Sequence, residues 1–376
     1  MGDADEIETK VEDGPEAATG AAAPPAGRSD VKLSRGFRPW LERMNVSLAF
    51  TTYQTGQLFM VGRLPQGRVS IHQQSYVRAM GLHATPNRLL IASQHQIWRL
   101  ENILAPNERA NADFDRLYVP RAAQVTGDLD VHEIGFDSRG RAIFVATRFN
   151  CLATTSATHS FKPLWLPPFI SKLAAEDRCH LNGLAMANGR PAYVTAISRS
   201  DMVEGWRDRR RDGGVLIDLA DNRIVAENLS MPHSPRVTDN GVLLLDSGRG
   251  MIVRIDPATG AKTDIAFCPG FLRGLAVHRG HAIVTVSMPR EGIFEGLELQ
   301  DQLASRDGEA WCGICIVDLR TGDLVEWLRI DGAIKELFDV AVLPGVTCPM
   351  AVGLAAPELN SLLSHDSEFG PLIVEG

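Results

Sequence analysis

Histidine and arginine residues recur near the starts of short apolar segments along this chain. His132, His180 and His233 stand at three such starts, and Arg78 and Arg273 stand at two others. Three neutral imidazoles can bind a divalent metal ion and leave a coordination position open, and imidazole also exchanges protons near neutral pH. Guanidinium groups bind carboxylate, sulfate or phosphate through a planar fork. We therefore expect these five residues to form a catalytic site for a small anion, with the three histidines as metal ligands.

Each of these residues also has a structural explanation, which the sequence leaves open. A histidine at a strand start can simply satisfy buried backbone groups. An arginine can pair with an acidic residue, and Glu133, Glu336 and Asp339 are available. The functional interpretation therefore depends on whether the fold brings the five basic residues to one place.

The apolar segments are arranged in pairs that repeat along the chain. Each pair is a short strand, a turn and a second strand. The third residues of the first strands align the repeats and are Arg78, His132, Asn182, His233, Arg273 and Phe338. The steps between them are 54, 50, 51, 40 and 65 residues, and a later hairpin follows in each unit. Four strands in such a step is typical of a propeller blade, so the sequence predicts an all-β, six-bladed β-propeller.

The two ends of the chain are expected to complete the last blade together. The final unit contains only two recognisable strands, in residues 336–342 and 349–354, and the N-terminal region has two more, in residues 46–52 and 58–62. Pairing them would close the ring and remove open sheet edges. A seven-bladed ring is the alternative, if the 65-residue step contains another blade. Residues 288–310 in that step look loop-like or helical, which favours six blades.

The repeat implies one propeller domain, which we place at residues 37–360. Residues 1–36 are predicted to be a disordered tail, because they are acidic and rich in Ala and Pro. Residues 361–376 are predicted to be a C-terminal tail.

Three long segments are predicted to be loops at the mouth of the central channel, where the inner strands begin. They are residues 148–173, 199–213 and 288–310, and we place them between the second and third strands of blades 2, 3 and 5. Long loops on a rigid scaffold often carry function. The residues expected to bind the substrate in these loops or at the strand starts are Arg148, Asn150, Asn182, Arg199, Arg290 and Trp165.

The composition excludes several functional classes. A net charge of −8 over 376 residues argues against a general nucleic-acid or anionic-membrane surface. No phosphate-binding or dinucleotide fingerprint is present, so we expect no nucleotide cofactor. The six cysteines have no framework spacing and are expected to be reduced and buried. Without a visible signal peptide or an apolar run of about 18 residues, the protein is expected to be cytoplasmic.

Four specific motifs resemble a family of bacterial conserved proteins of unknown function. They are Phe-Asn-Cys-Leu-Ala-Thr at 149–154, Pro-Leu-Trp-Leu-Pro-Pro-Phe-Ile at 163–170, Asp-Arg-Cys-His-Leu-Asn-Gly-Leu at 177–184 and Met-Pro-His-Ser-Pro-Arg at 231–236. The resemblance covers roughly residues 41–359 and implies kinship without a known activity.

A shorter motif resembles the six-bladed propellers of the gluconolactonase and strictosidine-synthase type. It is Asn-Gly-Leu-Ala at 182–185, and in gluconolactonases its asparagine is a ligand of a divalent metal. The resemblance therefore implies a metal-binding role for Asn182. The acidic ligands of that family have no counterpart that we can place, so lactonase activity is not implied.

Two functions from different classes follow from these observations. The first is a metal-assisted lyase or hydrolase that acts on a small anionic molecule such as a sugar acid. The alternative is a metal-free module that presents its loop face to a protein or a glycan. Trp165 and Trp206 would then be anchors, since aromatic residues often anchor interfaces. A scaffold without a ligand is a third interpretation, which explains the polar channel mouth least well.

Overall fold

The computed structural model describes residues 29–289 and 296–365, and within them the chain forms a six-bladed β-propeller. Each blade is a sheet whose first strand lines the central channel and whose later strands lie progressively outward. The predicted fold is thus confirmed with six blades. Residues 288–310 supply the helix Glu298–Ala304 where a seventh blade would have been needed, and residues 290–295 lie outside the described part.

The strand bounds follow the repeat along the chain. From the channel outward, the strands of blades 1 to 3 are Leu82–Thr85, Arg88–Ala92, Gln96–Asn102 and Arg116–Val125; Val131–Phe136, Ala142–Ala146, Cys151–Thr154 and Lys162–Trp165; and Leu181–Ala187, Arg190–Ala196, Gly214–Asp218 and Ile224–Leu229. Those of blades 4 and 5 are Pro232–Thr238, Gly241–Asp246, Met251–Ile255 and Lys262–Phe267; and Phe271–His278, His281–Ser287, Cys312–Asp318 and Leu324–Gly332. Short 3₁₀ helices lie at Thr147–Phe149, Arg207–Arg209, Ser247–Arg249 and Pro357–Asn360.

Blade 6 closes the ring with strands from both ends of the chain. Its inner strand is Val340–Pro344, and its outer three are Val46–Thr52, Gln57–Arg63 and Val69–Ser75. The expectation of two strands from each end is therefore wrong in detail. The segment expected to be the second strand contributes Pro349–Ala351, which instead pairs in parallel with the outer strand of blade 1.

Apolar side chains on both faces of each sheet hold the blades together. The second strand of blade 4, for example, buries Leu243 and Leu245 against blade 5 and Leu244 against blade 3. An apolar cluster of this kind fills every interface between neighbouring blades. Strands buried on both faces read as continuous apolar runs, which is why the repeat is visible in the sequence.

The N-terminal segment adds two elements to the outside of the ring. Ser29–Leu33 pairs with Leu324–Gly332 as a fifth strand of blade 5, although residues up to 36 were predicted to belong to the tail. The helix Phe37–Met44 then buries Trp40 and Leu41 between blades 5 and 6. Residues 1–28 and 366–376 lie outside the described residues.

Close approach of the inner strands keeps the channel narrow. A Cβ atom on Gly183 would lie 2.5 Å from Pro235 Cδ on the next inner strand, and one on Gly274 would lie 2.7 Å from Asp339 Cα. Such contacts are too short for any side chain, so glycine is needed at both positions. The six inner strands all begin at the same mouth, and their first residues are therefore held close together.

The predicted mouth loops are confirmed only in part. Residues 199–213 connect the second and third strands of blade 3, and residues 288–310 do so in blade 5. Residues 148–173 are not one loop, because they contain the third and fourth strands of blade 2. The pattern was missed because Lys162–Trp165 is short and exposed, so it lacks the apolar signal of a buried strand.

Two further expectations concern the state of the cysteines and the presence of membrane-spanning helices. All six cysteines are free and buried, as predicted. Among the described residues, none of the helices combines the length and the apolar character that a membrane crossing requires.

If the ring closes as described, a core residue of the closing strand should stabilise the fold as strongly as one in a continuous blade. Leu343 and Leu244 are both completely buried, and replacing either by alanine should lower the free energy of unfolding by about 2–5 kcal/mol. The exposed Leu324 is the control, and Leu324→Ala should change it by less than about 0.5 kcal/mol. Urea denaturation measures all three variants. A Leu343→Ala variant as stable as Leu324→Ala would contradict this closure.

Candidate functional site

A polar cavity of about 220 Å³ occupies the mouth at which the inner strands begin. Five of its lining residues are the basic side chains predicted from the sequence. The complete lining is Tyr53, Arg78, Met80, Asp130, His132, Asp177, His180, Trp206, Arg207, Met231, His233, Arg273 and Phe338. The fold therefore brings His132, His180, His233, Arg78 and Arg273 to one place.

An unusual backbone conformation directs side chains into this mouth. Asp130, His180 and Met231 immediately precede the inner strands of blades 2, 3 and 4, and their φ angles are 54°, 50° and 49°. Arg78 has φ 52° before the inner strand of blade 1. Non-glycine residues in this left-handed region cost roughly 1–3 kcal/mol each and cluster at functional sites. The left-handed conformation recurs before the inner strands of four successive blades, so the geometry of the mouth lowers the stability of the fold.

His132 and His233 are both held through Nδ1. The Nδ1–H of His132 donates to the carbonyl of Asp130 at 3.0 Å and lies 2.9 Å from Thr147 Oγ1, whose own proton goes to the Leu181 carbonyl. The Nδ1–H of His233 donates to the carbonyl of Met231 at 2.8 Å. A carbonyl can only accept, so the proton of each neutral ring resides on Nδ1.

His180 forms a dyad with a carboxylate. Its Nδ1–H donates to Asp177 Oδ2 at 2.8 Å, and the indole N–H of Trp206 donates to the same oxygen at 2.9 Å. The imidazole also lies against Trp206, with ring centroids 4.2 Å apart. A carboxylate in this position orients the ring and stabilises the imidazolium that forms when Nε2 takes up a proton.

Arg273 is a buried cation with little compensating charge. Its side chain is 12% exposed, and it forms an ion pair with Glu336 at 3.9 Å between Nη2 and Oε2. Its Nε is buried and donates no hydrogen bond within the described structure. The aromatic rings of Tyr53, Phe271 and Phe338 lie 5.1–5.7 Å from the guanidinium carbon. Burial lowers the pKa of Arg273, which expresses the cost of holding this charge away from water.

Arg78, by contrast, is already paired. It forms ion pairs with Asp128 at 3.1 Å and with Asp130, and Arg148 shares Asp128 at 3.3 Å. The structural explanation considered for the arginines therefore applies to Arg78, although with different acidic partners from those expected, and in part to Arg273, whose partner at 3.9 Å is the expected Glu336.

The electrostatics of the cavity keep two of the imidazoles neutral. Burial lowers the pKa of His132 to about 4 against the opposing effect of Asp130, and His180 and then Arg273 add smaller effects in the same direction as burial. The pKa of His233 is also lowered well below its usual value, by burial and then by Arg273. Arg273 thus produces a positive potential around both rings.

The three imidazoles lie close to one another in the mouth. The ring centroids of His132 and His180 are 4.9 Å apart, and those of His132 and His233 are 6.4 Å apart. Across residues 29–289 and 296–365, no group of three or more His, Cys, Asp or Glu side chains is placed to hold a metal ion. The three-histidine metal site stays a prediction.

A family model described as "Domain of unknown function (DUF4915)" matches residues 35–352 of the chain. The protein belongs to the DUF4915 family. This confirms the kinship predicted from the four motifs, and the match spans every blade and the whole cavity. No protein of curated function matches the chain.

Solved structures similar to this DUF4915 member include a nidogen/laminin complex and a streptogramin B lyase. The first is 11% identical with a TM-score of 0.48, over 79% of this chain and 98% of that one. The second is 10% identical with a TM-score of 0.39, over 76% of this chain and 75% of that one.

Among the described residues, those predicted to bind the substrate lie outside the cavity lining of this DUF4915 protein. Asn150 is completely buried and its Oδ1 accepts the N–H of Cys179 at 2.9 Å, so it holds the turn that carries Asp177 and His180. Asn182 is 1% exposed and accepts the hydroxyl of Thr195. A contribution of either asparagine to binding would be indirect.

The other predicted contacts lie farther out. Arg199 lines a separate cavity of about 660 Å³ and pairs with Glu227 at 2.9 Å. Trp165 lies on the outer strand of blade 2 and donates to Asn222. Arg290 lies outside the described residues.

Several cavity residues were missed by the sequence reasoning. Asp130 and Asp177 precede His132 and His180 by two and three residues, a spacing that could have suggested a carboxylate near each imidazole. Phe338 occupies the aligned position of the sixth repeat and could have been placed at the mouth from that, whereas Tyr53 lies outside the aligned positions and gave no such signal.

The lowered pKa of His132 predicts how stability depends on pH. His132 has a pKa of about 4 in the folded protein and an ordinary value of 6.5 in the unfolded chain. Between these two values the unfolded chain binds a proton on this histidine and the folded protein does not. Stability should therefore fall as the pH drops through this window, by up to about 1.4 kcal/mol per pH unit for one such group. His132→Asn should remove that part of the slope in urea denaturation between pH 7.5 and 4.5.

The matched control is His95→Asn, since His95 is exposed in the turn between the second and third strands of blade 1. It should keep the wild-type slope, to which the half-buried His83, with its pKa lowered by burial to about 4, also contributes. A His132→Asn variant with an unchanged slope would show that His132 is not held neutral.

Proposed function

We propose that the protein is an acid–base enzyme, a lyase or a hydrolase, that acts on a small anionic molecule at the channel mouth. Arg273 carries the proposal. A buried guanidinium with an unpaired Nε and only a 3.9 Å ion pair lies beside a cavity large enough for a small ligand. An anionic group of the substrate would provide the hydrogen-bond partner that Arg273 Nε lacks and would add negative charge to that of the more distant Glu336.

The His180–Asp177 dyad supplies the group that moves a proton. With Nδ1–H held by Asp177, Nε2 of His180 is the nitrogen left to act as a general base. In a lyase it would take a proton from the carbon next to the anionic group, and in a hydrolase from an attacking water. The proton would then return from the imidazolium to the leaving group.

Metal assistance is a separate version of this function. It would require the imidazole rings of His132 and His233 to approach more closely than the 6.4 Å that separates their centroids. The positive potential of Arg273 opposes a cation between these rings. The protein- or glycan-binding alternative has less support, because Trp206 is only 6% exposed and Trp165 is engaged with Asn222.

Turnover of a panel of sugar acids, their lactones and their methyl esters, followed by proton NMR, tests the proposal. His180→Ala should lower kcat/KM by about 10²–10⁴-fold, and Asp177→Asn should lower kcat in the same direction. Arg273→Met should raise KM by about 10-fold or more, since hydrogen bonds to a charged group contribute roughly 1.5–3 kcal/mol.

Arg320→Met is the control, because Arg320 is 82% exposed and loses the same charge. It should retain wild-type turnover, and circular dichroism should show that every variant is folded. A panel without a substrate, or turnover that survives both His180→Ala and Arg273→Met, would overturn the proposal. Turnover that disappears with EDTA and returns with Zn²⁺ or Mn²⁺ would favour the metal-assisted version instead.

A further inference from the structure

The three imidazoles of the mouth share a directional feature that constrains the ligand. Each of them uses Nδ1–H to reach a protein acceptor, namely the Asp130 carbonyl, the Asp177 carboxylate and the Met231 carbonyl. No hydrogen bond to Nε2 of any of the three occurs among the described residues. All three rings line the cavity.

A neutral imidazole with its proton on Nδ1 has only a lone pair on Nε2. It can accept a hydrogen bond there but cannot donate one. A carboxylate, which also only accepts, therefore cannot bind to Nε2 of the neutral His132 and His233 rings, although it can bind to Arg273. The ligand must present donors to the imidazoles and an anionic group to the guanidinium.

The charge of Arg273 decides which kind of donor fits. The guanidinium disfavours additional positive charge at His233, where it is the strongest charge acting on the ring, and it has a weaker effect of the same sign at His132, where Asp130 acts in the opposite direction. A ligand ammonium group would meet the same repulsion, whereas a neutral hydroxyl would not. A hydrogen bond from a ligand hydroxyl to an imidazole Nε2 would replace one from water without adding charge to the cavity.

The size of the cavity limits the ligand as well. A volume of about 220 Å³ lies below the range of roughly 300–1,000 Å³ that drug-sized ligands occupy. The site is therefore suited to a molecule of a few carbon atoms, or to one end of a longer chain.

We infer that the channel mouth recognises a small hydroxycarboxylate, with its carboxylate on Arg273 and its hydroxyl groups donating to the Nε2 atoms of His132 and His233. This assignment rests on the proposed anion-binding role of Arg273 and adds the requirement for neutral donors beside it. It identifies the two histidines as specificity determinants, distinct from the proton-transferring dyad of His180 and Asp177.

Isothermal titration calorimetry of the full chain, which measures its affinity for each of four probes, tests the inference. Lactate and glycerate carry hydroxyl groups, propionate lacks them, and alanine replaces the hydroxyl of lactate by an ammonium. Lactate or glycerate should bind at least about 10-fold more tightly than propionate, because an imidazole acceptor left unpaired by the wrong ligand is penalised. Alanine should bind more weakly than lactate.

Variants separate the two parts of the site. His132→Phe and His233→Phe should each reduce the preference for lactate over propionate while leaving propionate affinity within about 2-fold, and His95→Phe should change neither. Arg273→Met should weaken the binding of all the carboxylates to a similar extent. Nitrogen-15 NMR of the imidazoles provides a check without any ligand or variant, and it should show His132 and His233 protonated at Nδ1 and not at Nε2.

The failure of the inference is distinguishable from the failure of the proposed function. If propionate binds as tightly as lactate, and Arg273→Met weakens both, the anion site stands and the hydroxyl requirement is wrong. If alanine binds best, the donor is an ammonium and the inference is wrong on that point. If no carboxylate binds, or Arg273→Met has no effect, both fail.

Discussion

The pairing of Val340–Pro344 with Val46–Thr52 is the interaction on which the rest of the structure depends. It joins the two ends of the chain in one sheet and closes the ring. Phe338 lies just before the first of these strands and Tyr53 just after the second, and both line the cavity around Arg273. Without closure, Arg273 would lose two of its three aromatic neighbours. The channel mouth is therefore a property of the closed ring.

The mouth combines groups whose requirements conflict. Neutral imidazoles are held by hydrogen bonds from Nδ1–H to backbone carbonyls, and a buried guanidinium lies beside them with the carboxylate of Glu336 3.9 Å away. The left-handed backbone of Asp130, His180 and Met231 adds local strain. A protein selected for stability alone has no reason to place an incompletely paired arginine here, since an unpaired buried charge is costly. An anionic ligand with neutral donors would satisfy both groups at once.

The residues differ in how far the sequence could identify them. His132, His233 and Arg273 were found because each occupies the same place in a repeated strand, and the repeat forces equivalent places to converge on the axis. Asn150 was assigned to the substrate but holds the turn of His180, since a side chain's direction is not encoded in its position. Lys162–Trp165 was taken for a loop because an exposed outer strand has no apolar pattern. The origin of the fourth strand of blade 6 was also missed, because Val69–Ser75 alternates between polar and apolar residues.

The sequence by itself determined the architecture and the basic character of the mouth. Strands buried on both faces must be apolar throughout, so six units with the same run of apolar residues predict six blades. The tertiary structure alone decided which charges are paired. Arg78 and Arg273 look equivalent in the repeat, yet Arg78 meets Asp128 and Asp130 whereas Arg273 meets aromatic rings. The physical reason is that an ion pair depends on distances of a few ångströms between side chains of neighbouring blades. The repeat aligns the strands of these blades but does not specify the distances between their side chains.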